Sequence, residues 1–160
     1  MDPAAKKTVL RHMSYGMYAI TAAHDGERGV FTANWLSQVS FEPPLVVVSV
    51  ELDSATLPLI RGSRKFAICP FADDQRQLAA DLGRPKARAG DKYAALDLST
   101  IDTEQGVPVL ADTLGYVICQ VRAELPAGDS VVVLAEVIDA GVLNEGEPLT
   151  MRAAGFRHAG

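Results

Sequence analysis

A succession of short β-branched runs is the feature of this sequence that most constrains its fold. The run LVVVSV at residues 45–50 is too β-branched for a comfortable helix and has the length of a buried strand. Asp25-Gly26 and the segment Pro126-Ala127-Gly128-Asp129 are turn signals between such runs. Strands are predicted at residues 15–23, 29–32, 38–41, 45–51, 65–70, 107–110, 116–125, 131–140 and 148–156.

Helical signals are few and short. Asp2-Pro3 predicts a helix start, Ser54 predicts another with its end at Gly62, and Asp73 or Asp74 predicts a third ending at Gly83. Residues 84–103 are polar and irregular, as expected of an excursion over the surface or over a ligand. Because strands outnumber helices without βαβ alternation, we expect a mainly β fold with short helices, a closed or nearly closed antiparallel barrel. Residues 1–160 are expected to form a single domain.

Charge and cysteine usage exclude several classes of protein. Fifteen Lys and Arg against twenty Asp and Glu give a net charge of −5, which predicts no nucleic-acid partner. Cys69 and Cys119 lie far apart without a CxxC, so we expect no metal site and two free thiols in a reducing compartment. The longest uncharged apolar run, residues 43–50, is far shorter than the ~20 residues that span a bilayer. The expected location is cytoplasmic, with no membrane contact.

The richest polar segment lies between two predicted strands, at residues 29–40. Its short hydroxyl and amide side chains can fix a flat ligand that approaches the backbone closely, although an ordinary loop and half-exposed strand would explain them too. The hydrogen-bonding residues are Thr32, Asn34, Ser37, Gln38 and Ser40.

Two further features are compatible with a phosphate-bearing ligand. Ser54 and Thr56 precede a predicted helix, where they suit either an anion or plain capping. Basic residues cluster at 61–65 and at Arg84, Lys86, Arg88 and Lys92, as a phosphate or dinucleotide site or as a solvated face. There is no recognisable nucleophile–base arrangement, no strand followed by GxGxxG and no GxxxxGK[ST]. If the protein is an enzyme, a bound cofactor is therefore expected to carry the reaction.

Taken together, these segments resemble the flavin reductase-like family, the FMN-binding split β-barrel proteins. The resemblance covers about residues 10–160. It is carried by GMYAITAAHDGERGVFTANWLSQVSFEPPLVVVSV at residues 16–50, SATLPLI at 54–60, KFAICP at 65–70, QRQLAADLG at 75–83, LGYVICQV at 114–121, GDS at 128–130 and PLTMRAAGF at 148–156.

The resemblance implies an antiparallel, Greek-key-like split barrel that forms a homodimer and binds FMN, with FAD as the alternative. By this resemblance Thr32, Ala33, Asn34 and Trp35 would line the isoalloxazine and ribityl chain. The contact would continue through Ser37, Gln38 and Ser40, while Ser54 and Thr56 would approach the phosphate.

The implied activity is an NAD(P)H-dependent flavin reductase that passes electrons to free flavin or to a partner oxygenase. The hydride chemistry belongs to the flavin, so no catalytic side chain is predicted. Two positions depart from the family pattern, with Ser130 in place of a histidine and Cys69 in place of an asparagine. The first motivates a flavoredoxin-like electron carrier that does not use NAD(P)H directly, and a split barrel that has lost flavin and survives as a binding module is the third hypothesis.

Overall fold

The computed structural model describes residues 1–85, 88 and 90–157. Within these residues the named helices are α1 (Pro3–Leu10), α2 (Leu57–Ser63), α3 (Arg76–Leu82), α4 (Lys92–Ala95) and α5 (Met151–Ala154). The named strands are β1 (Tyr18–His24), β2 (Glu27–Ala33), β3 (Leu36–Ser40), β4 (Leu45–Glu51), β5 (Lys65–Pro70), β6 (Thr100–Asp102), β7 (Pro108–Leu110), β8 (Gly115–Ala127) and β9 (Ser130–Val142).

One seven-stranded sheet dominates, in the order β2-β1-β5-β8-β9-β4-β3, and β6 pairs with β7 in a small second sheet. The strand pairs of both sheets are antiparallel. The long β8–β9 hairpin has two register shifts, after Ile118 and after Val121, and such bulges bend a strand pair. The edge strands β2 and β3 are consecutive in the chain and joined only by Asn34 and Trp35. The predicted antiparallel, mainly β fold is confirmed.

The central strands are buried on both faces of the sheet. In β1 the side chain of Ala19 belongs to one apolar cluster and that of Ile20 to the other. In β5 the side chain of Ala67 belongs to the first of these clusters and that of Phe66 to the second. Because successive side chains of a strand point to opposite faces, both faces need apolar residues here. This explains why the runs at residues 19–22 and 66–69 are apolar or uncharged throughout rather than alternating.

Local signals predicted several element ends correctly. The bounds expected for β4 and β5 agree with the structure, and Asp2 accepts a hydrogen bond from the backbone N–H of Ala4 at 2.8 Å as the cap of α1. The turn between β1 and β2 has positive φ at Asp25 and Gly26, 49° and 79°. Left-handed backbone at both central positions is the geometry for which an Asp-Gly pair is favoured.

The predicted end of α2 at Gly62 was wrong. The helix continues to Ser63 and ends at the left-handed residue Arg64, with φ 59°. A Cβ at Gly62 would lie 2.1 Å from Cδ2 of His24, so this glycine permits close packing against β1 rather than a helix stop. The start also differs, because Thr56 rather than Ser54 is the N-cap residue.

The predicted last strand, residues 148–156, was also wrong. The chain makes isolated bridges from Thr150 to Gly16 and from Pro148 to Ala72, and then turns into α5. The Thr150 hydroxyl caps this helix by accepting from the N–H of Ala153 at 3.1 Å. The irregular excursion expected at residues 84–103 contains both α4 and β6.

Candidate functional site: a cleft along the edge strand β2

A cleft of about 1340 Å³ follows the edge strand β2. It is bounded by the segment that precedes α2, by the end of α3 and by the start of α4. An edge strand leaves part of its backbone unpaired, so a ligand here meets peptide groups as well as side chains. Among the described residues the lining consists of Met17, residues 26–35, Ser49, Glu51, residues 53–56, Ala79, Ala80, residues 83–85, residues 90–93, Ser130, Met151 and Phe156.

The structure brings six of the nine predicted cofactor-binding residues to this cleft. They are Thr32, Ala33, Asn34, Trp35, Ser54 and Thr56. Their contact with a flavin stays a prediction, but their convergence from two separate segments of the chain is a property of the fold.

Ser37, Gln38 and Ser40 do not line the cleft. They lie on β3, where the Ser37 hydroxyl donates to the Gln38 carbonyl at 3.0 Å. The Gln38 amide donates to the Ser40 carbonyl at 3.1 Å. β3 runs antiparallel to β4, with Ser37 opposite Val47 and Ser40 opposite Leu45. After Trp35 the chain therefore moves away from the cleft-lining end of β4 at Ser49 and Glu51. The sequence analysis predicted one continuous polar segment at residues 29–40, whereas the structure divides it between β2 and β3.

The hydrogen bond of Thr32 limits what this residue can offer a ligand. Its hydroxyl donates to the Ala79 carbonyl at 2.7 Å, linking β2 to α3. Because a hydroxyl has one donor hydrogen and two acceptor lone pairs, only acceptor capacity remains. Thr32 therefore suits a ligand N–H rather than a ligand carbonyl.

Asn34 offers the complementary chemistry. Its amide nitrogen donates to the Met151 sulfur at 3.1 Å. A thioether is a weak acceptor, so a ligand oxygen would be the stronger partner for this amide. Together Thr32 offers a hydrogen-bond acceptor and Asn34 a donor. They suit a planar ligand that carries an N–H group and a carbonyl oxygen along one edge.

Gly29 and Thr56 bring the segment before α2 against β2. A Cβ at Gly29 would lie 2.7 Å from Oγ1 of the buried Thr56 and 2.9 Å from Cδ1 of Leu59. The Ser54 hydroxyl accepts from the Thr56 N–H at 3.4 Å. The absence of a side chain at Gly29 is what allows the Thr56 hydroxyl to lie against the strand.

Several lining residues on the other side of β2 are not in the predicted cofactor-binding set, although the sequence named Lys92 within a basic cluster. Lys92 is buried, and its ammonium donates to the carbonyls of Val30 at 3.2 Å and Leu82 at 2.5 Å. Burial lowers the pKa of Lys92. The neighbouring Tyr93 donates to the Gly29 carbonyl at 3.2 Å, and burial raises its pKa. The available signal was the basic cluster: Arg84 and Lys92 line the cleft, Arg88 is exposed, and Lys86 lies outside the described residues.

The two cysteines supply no reactive thiol to the cleft. The thiols of Cys69 and Cys119 belong to the apolar clusters, and burial raises their pKa to about 11 and about 12. In the part of the chain that the structure describes, no group of His, Cys, Asp and Glu could hold a metal ion. None of the helices there is long and apolar enough to cross a membrane.

The lining residues fit a flavin. Hydroxyl and amide groups at Thr32 and Asn34 match a planar ring edge with both N–H and C=O groups, and Met17 and Met151 supply apolar surface. The hydroxyls of Ser54 and Thr56, with Gly29 beside them, leave a polar approach for a phosphate.

The flavin reductase like domain model matches residues 10–160. The reductase component of the 4-nitrophenol 4-monooxygenase/4-nitrocatechol 2-monooxygenase of Rhodococcus opacus is 32% identical over 158 residues, which is 99% of this chain and 82% of that protein. The high molecular weight rubredoxin of Moorella thermoacetica is 32% identical over 143 residues, 88% of this chain, and this chain spans only 62% of that protein. The solved structure of flavin reductase PheA2 in its native state superposes with a TM-score of 0.78 at 28% identity, covering 94% of this chain and 93% of that one.

The chain belongs to the flavin reductase-like family. Membership of this family confirms the predicted split-barrel fold. It also confirms the predicted class, a flavin-binding oxidoreductase of the flavin reductase type.

Proposed function

We propose that this protein is the reductase component of a two-component system, in which NAD(P)H reduces flavin bound in the β2 cleft and the electrons pass to a partner oxygenase or to free flavin. The observation that carries the proposal is the convergence of Thr32, Asn34, Ser54 and Thr56 on one cleft in a chain of this family. The Rhodococcus relative is a reductase component by name, and its similarity spans nearly this whole chain.

The side chains divide into ring-binding and phosphate-binding groups. The Thr32 hydroxyl accepts a hydrogen bond from a ring N–H while it continues to donate to the Ala79 carbonyl. The Asn34 amide donates to a ring oxygen in place of the Met151 sulfur. Ser54 and Thr56 donate hydroxyl hydrogens toward the phosphate. FMN satisfies all of these groups, and FAD would satisfy them equally through the part of the molecule that it shares with FMN.

Flavin, when bound, supplies the hydride acceptor, and transfer from nicotinamide to flavin needs no protein acid or base. This chain's own contribution is to position the ring and to shield it from water with Met17, Met151 and Phe156. The lining is consistent with that role, because its buried members are mostly apolar or already hydrogen-bonded.

We also propose that the protein acts as a homodimer. Phe41 is 90% exposed and Val39 is 52% exposed, side by side on β3 and the turn that follows it. The N–H of Val137 bonds the Pro44 carbonyl at 2.9 Å, which joins β9 to the turn after β3, and the next residue, Ile138, is 39% exposed. An apolar patch of this kind is typical of a surface covered by another protein. β3 begins directly after Trp35, so the strand that carries this patch starts at the cleft and ends at the patch.

An absorbance spectrum between 300 and 550 nm tests the function. Purified protein with added FMN is expected to show flavin bands that bleach when NADH or NADPH is supplied without dithionite. The matched variant pair is Asn34→Ala, which removes a lining amide, and Asn144→Ala, whose amide donates to Ala111 and Thr113 outside the cleft. Only the first should weaken FMN binding. If the wild-type protein leaves the spectrum of micromolar FMN unchanged, the proposal is wrong.

One observation favours an electron carrier as the second candidate. Ser130 lines the cleft and is buried, and its hydroxyl donates to the Asp129 carboxylate at 3.0 Å. A serine at this place offers no cation or ring to a nicotinamide. One of the relatives is named a high molecular weight rubredoxin rather than a reductase component, and this chain spans 62% of it. The same spectrum separates the two, since a carrier keeps its flavin bands with NADH and NADPH and loses them with dithionite.

A further inference from the structure

A stacked pair, Arg28 and Tyr93, lines the cleft on the face of β2 that α4 covers. The guanidinium carbon of Arg28 lies 4.5 Å from the centroid of the Tyr93 ring. The ring is firmly held: it is buried, its hydroxyl donates to the Gly29 carbonyl, and its backbone N–H donates to the Asp91 carboxylate at 3.0 Å. The Arg28 guanidinium therefore lies over a tyrosine ring whose position is fixed, and in this geometry the cation is attracted to the ring face.

The charge of Arg28 is still available to a ligand. The residue is exposed, and within residues 1–85, 88 and 90–157 no carboxylate forms an ion pair with it. Arg84, which also lines the cleft, is paired with Asp81 at 3.1 Å. The Tyr93 ring contacts the guanidinium from one side, and no described residue accepts a hydrogen bond from the guanidinium N–H groups of Arg28, so these donors remain for other partners.

The space beside this pair belongs to the same cleft as the proposed flavin site. The volume of about 1340 Å³ exceeds the roughly 300–1,000 Å³ of a pocket for one drug-sized ligand. Gly26 and Gly90 line it near Arg28 and Tyr93, and a Cβ built on either glycine meets no atom within 4 Å. The two ends are on opposite faces of β2, because Gly29 meets Thr56 and successive strand residues alternate.

We propose that Arg28, supported by Tyr93, binds the adenosine phosphate half of a dinucleotide. The adenine stacks on the free face of the guanidinium, as bases do on arginine planes, and the guanidinium N–H groups donate to the adjoining phosphate. Both FAD and a nicotinamide dinucleotide carry this group. The inference rests on the proposed function, because it assumes that flavin binds in the β2 cleft. It assigns to Arg28 the adenosine phosphate group, which Ser54 and Thr56 do not bind.

The test compares Arg28→Ala and Arg28→Lys with a control, Arg122→Ala. Arg122 is an exposed arginine on β8, paired with Glu136 and outside the cleft lining. Dissociation constants are measured for FMN, FAD and AMP, and KM for NADH is measured at saturating FMN. Losing the stacking of one base is expected to weaken binding of the affected ligand by about tenfold. Arg28→Lys should restore little of this affinity, because an ammonium group has no planar face on which a base can stack.

The two sources of the adenosine phosphate give different results. If it belongs to FAD, Arg28→Ala raises the dissociation constant of FAD and leaves that of FMN unchanged. If it belongs to the nicotinamide substrate, KM for NADH rises at constant kcat, both flavin constants stay unchanged, and AMP competes with NADH less well than in the wild type.

Three results would overturn the inference: equal weakening of FMN and FAD, no change in any constant, or full recovery by Arg28→Lys. A wild-type protein that binds no flavin would instead refute the proposed function. Binding of AMP to the wild type and its loss in Arg28→Ala would still decide the role of Arg28.

Discussion

Gly29 of β2 packs against Thr56 so closely that a Cβ at position 29 would lie 2.7 Å from the threonine Oγ1. Thr56 is 3% exposed, so its side chain has little room to move away. This contact joins the edge strand to the start of α2 and sets the distance between the two proposed halves of the flavin site.

Gly29→Ala is therefore expected to displace Thr56, to destabilise the protein by about 1–3 kcal/mol and to weaken FMN binding. Urea unfolding and FMN titration measure the two effects. The control for stability is Gly83→Ala, where a Cβ meets its nearest atoms at 3.4 Å and φ is −72°. Equal stability of the two variants would contradict the close packing.

Thr32→Val removes the hydrogen bond to the Ala79 carbonyl while preserving shape. We expect a loss of about 1 kcal/mol in the free energy of unfolding, since that carbonyl keeps its bond from the Gly83 N–H. FMN affinity should fall as well. Thr103→Val, outside the cleft, removes a similar bond to the Val107 carbonyl at 2.8 Å together with the bond accepted from the Val107 N–H at 3.3 Å. It should lower stability without changing FMN affinity.

Lys92→Met leaves the carbonyls of Val30 and Leu82 without their charged donor. The expected cost is about 2 kcal/mol in the free energy of unfolding, because hydrogen bonds to charged groups exceed neutral ones. Lys65→Met is the matched variant. Its ammonium donates to the half-buried Gln105 side chain at 3.0 Å, so water can replace it and the loss should be smaller. Comparable losses would show that the Lys92 bonds add little.

The cysteine thiols should not react in the folded protein. Burial raises the pKa of Cys69 to about 11 and that of Cys119 to about 12, so the nucleophilic thiolate is scarce at pH 8. Labelling with a disulfide reagent is expected only after denaturant is added. Rapid labelling of either thiol at pH 8 in the absence of denaturant would refute the burial.

The same thiols predict a loss of stability in alkali. In the unfolded chain they ionise near the ordinary value of 9.0, below the pKa of the folded state. The unfolded state thus binds fewer protons above pH 9, and the free energy of unfolding falls as pH rises toward 11–12. Urea midpoints between pH 8 and pH 11 measure the slope. The Cys69→Ala/Cys119→Ala protein, although less stable overall, should show a shallower one.

Phe41→Asp should convert a dimer to a monomer, because it places a charge in the centre of the exposed apolar patch. Size-exclusion chromatography with light scattering reports the mass. Phe41 lies outside the cleft lining, so FMN binding per chain tests whether a dimer supports the site. The comparison variant is Leu125→Asp, at a residue 66% exposed near the β8–β9 turn, which should leave the oligomeric state unchanged.

Local sequence signals determined the parts of the fold in which neighbouring residues decide the backbone. Asp25-Gly26 specified the tight turn between β1 and β2, and the β-branched run after Pro44 specified β4. The polar residues Thr32 and Asn34 likewise pointed to the cleft through their chemistry, whereas Ser37, Gln38 and Ser40 after Trp35 did not. In these places the conformation follows from steric preferences within a few residues.

Only the tertiary structure decided what those segments contact. α5 replaced a predicted strand because bridges to Gly16 and Ala72 end the pairing there and the Thr150 hydroxyl begins a helix. The antiparallel register of β3 on β4 carried Ser37, Gln38 and Ser40 toward Leu45, away from the end of β4 that lines the cleft. Lys92 reached Val30 across 62 residues of chain, and Tyr93 came to lie beneath Arg28. Composition and periodicity describe neighbours along the chain, whereas a binding site is assembled from residues that packing brings together.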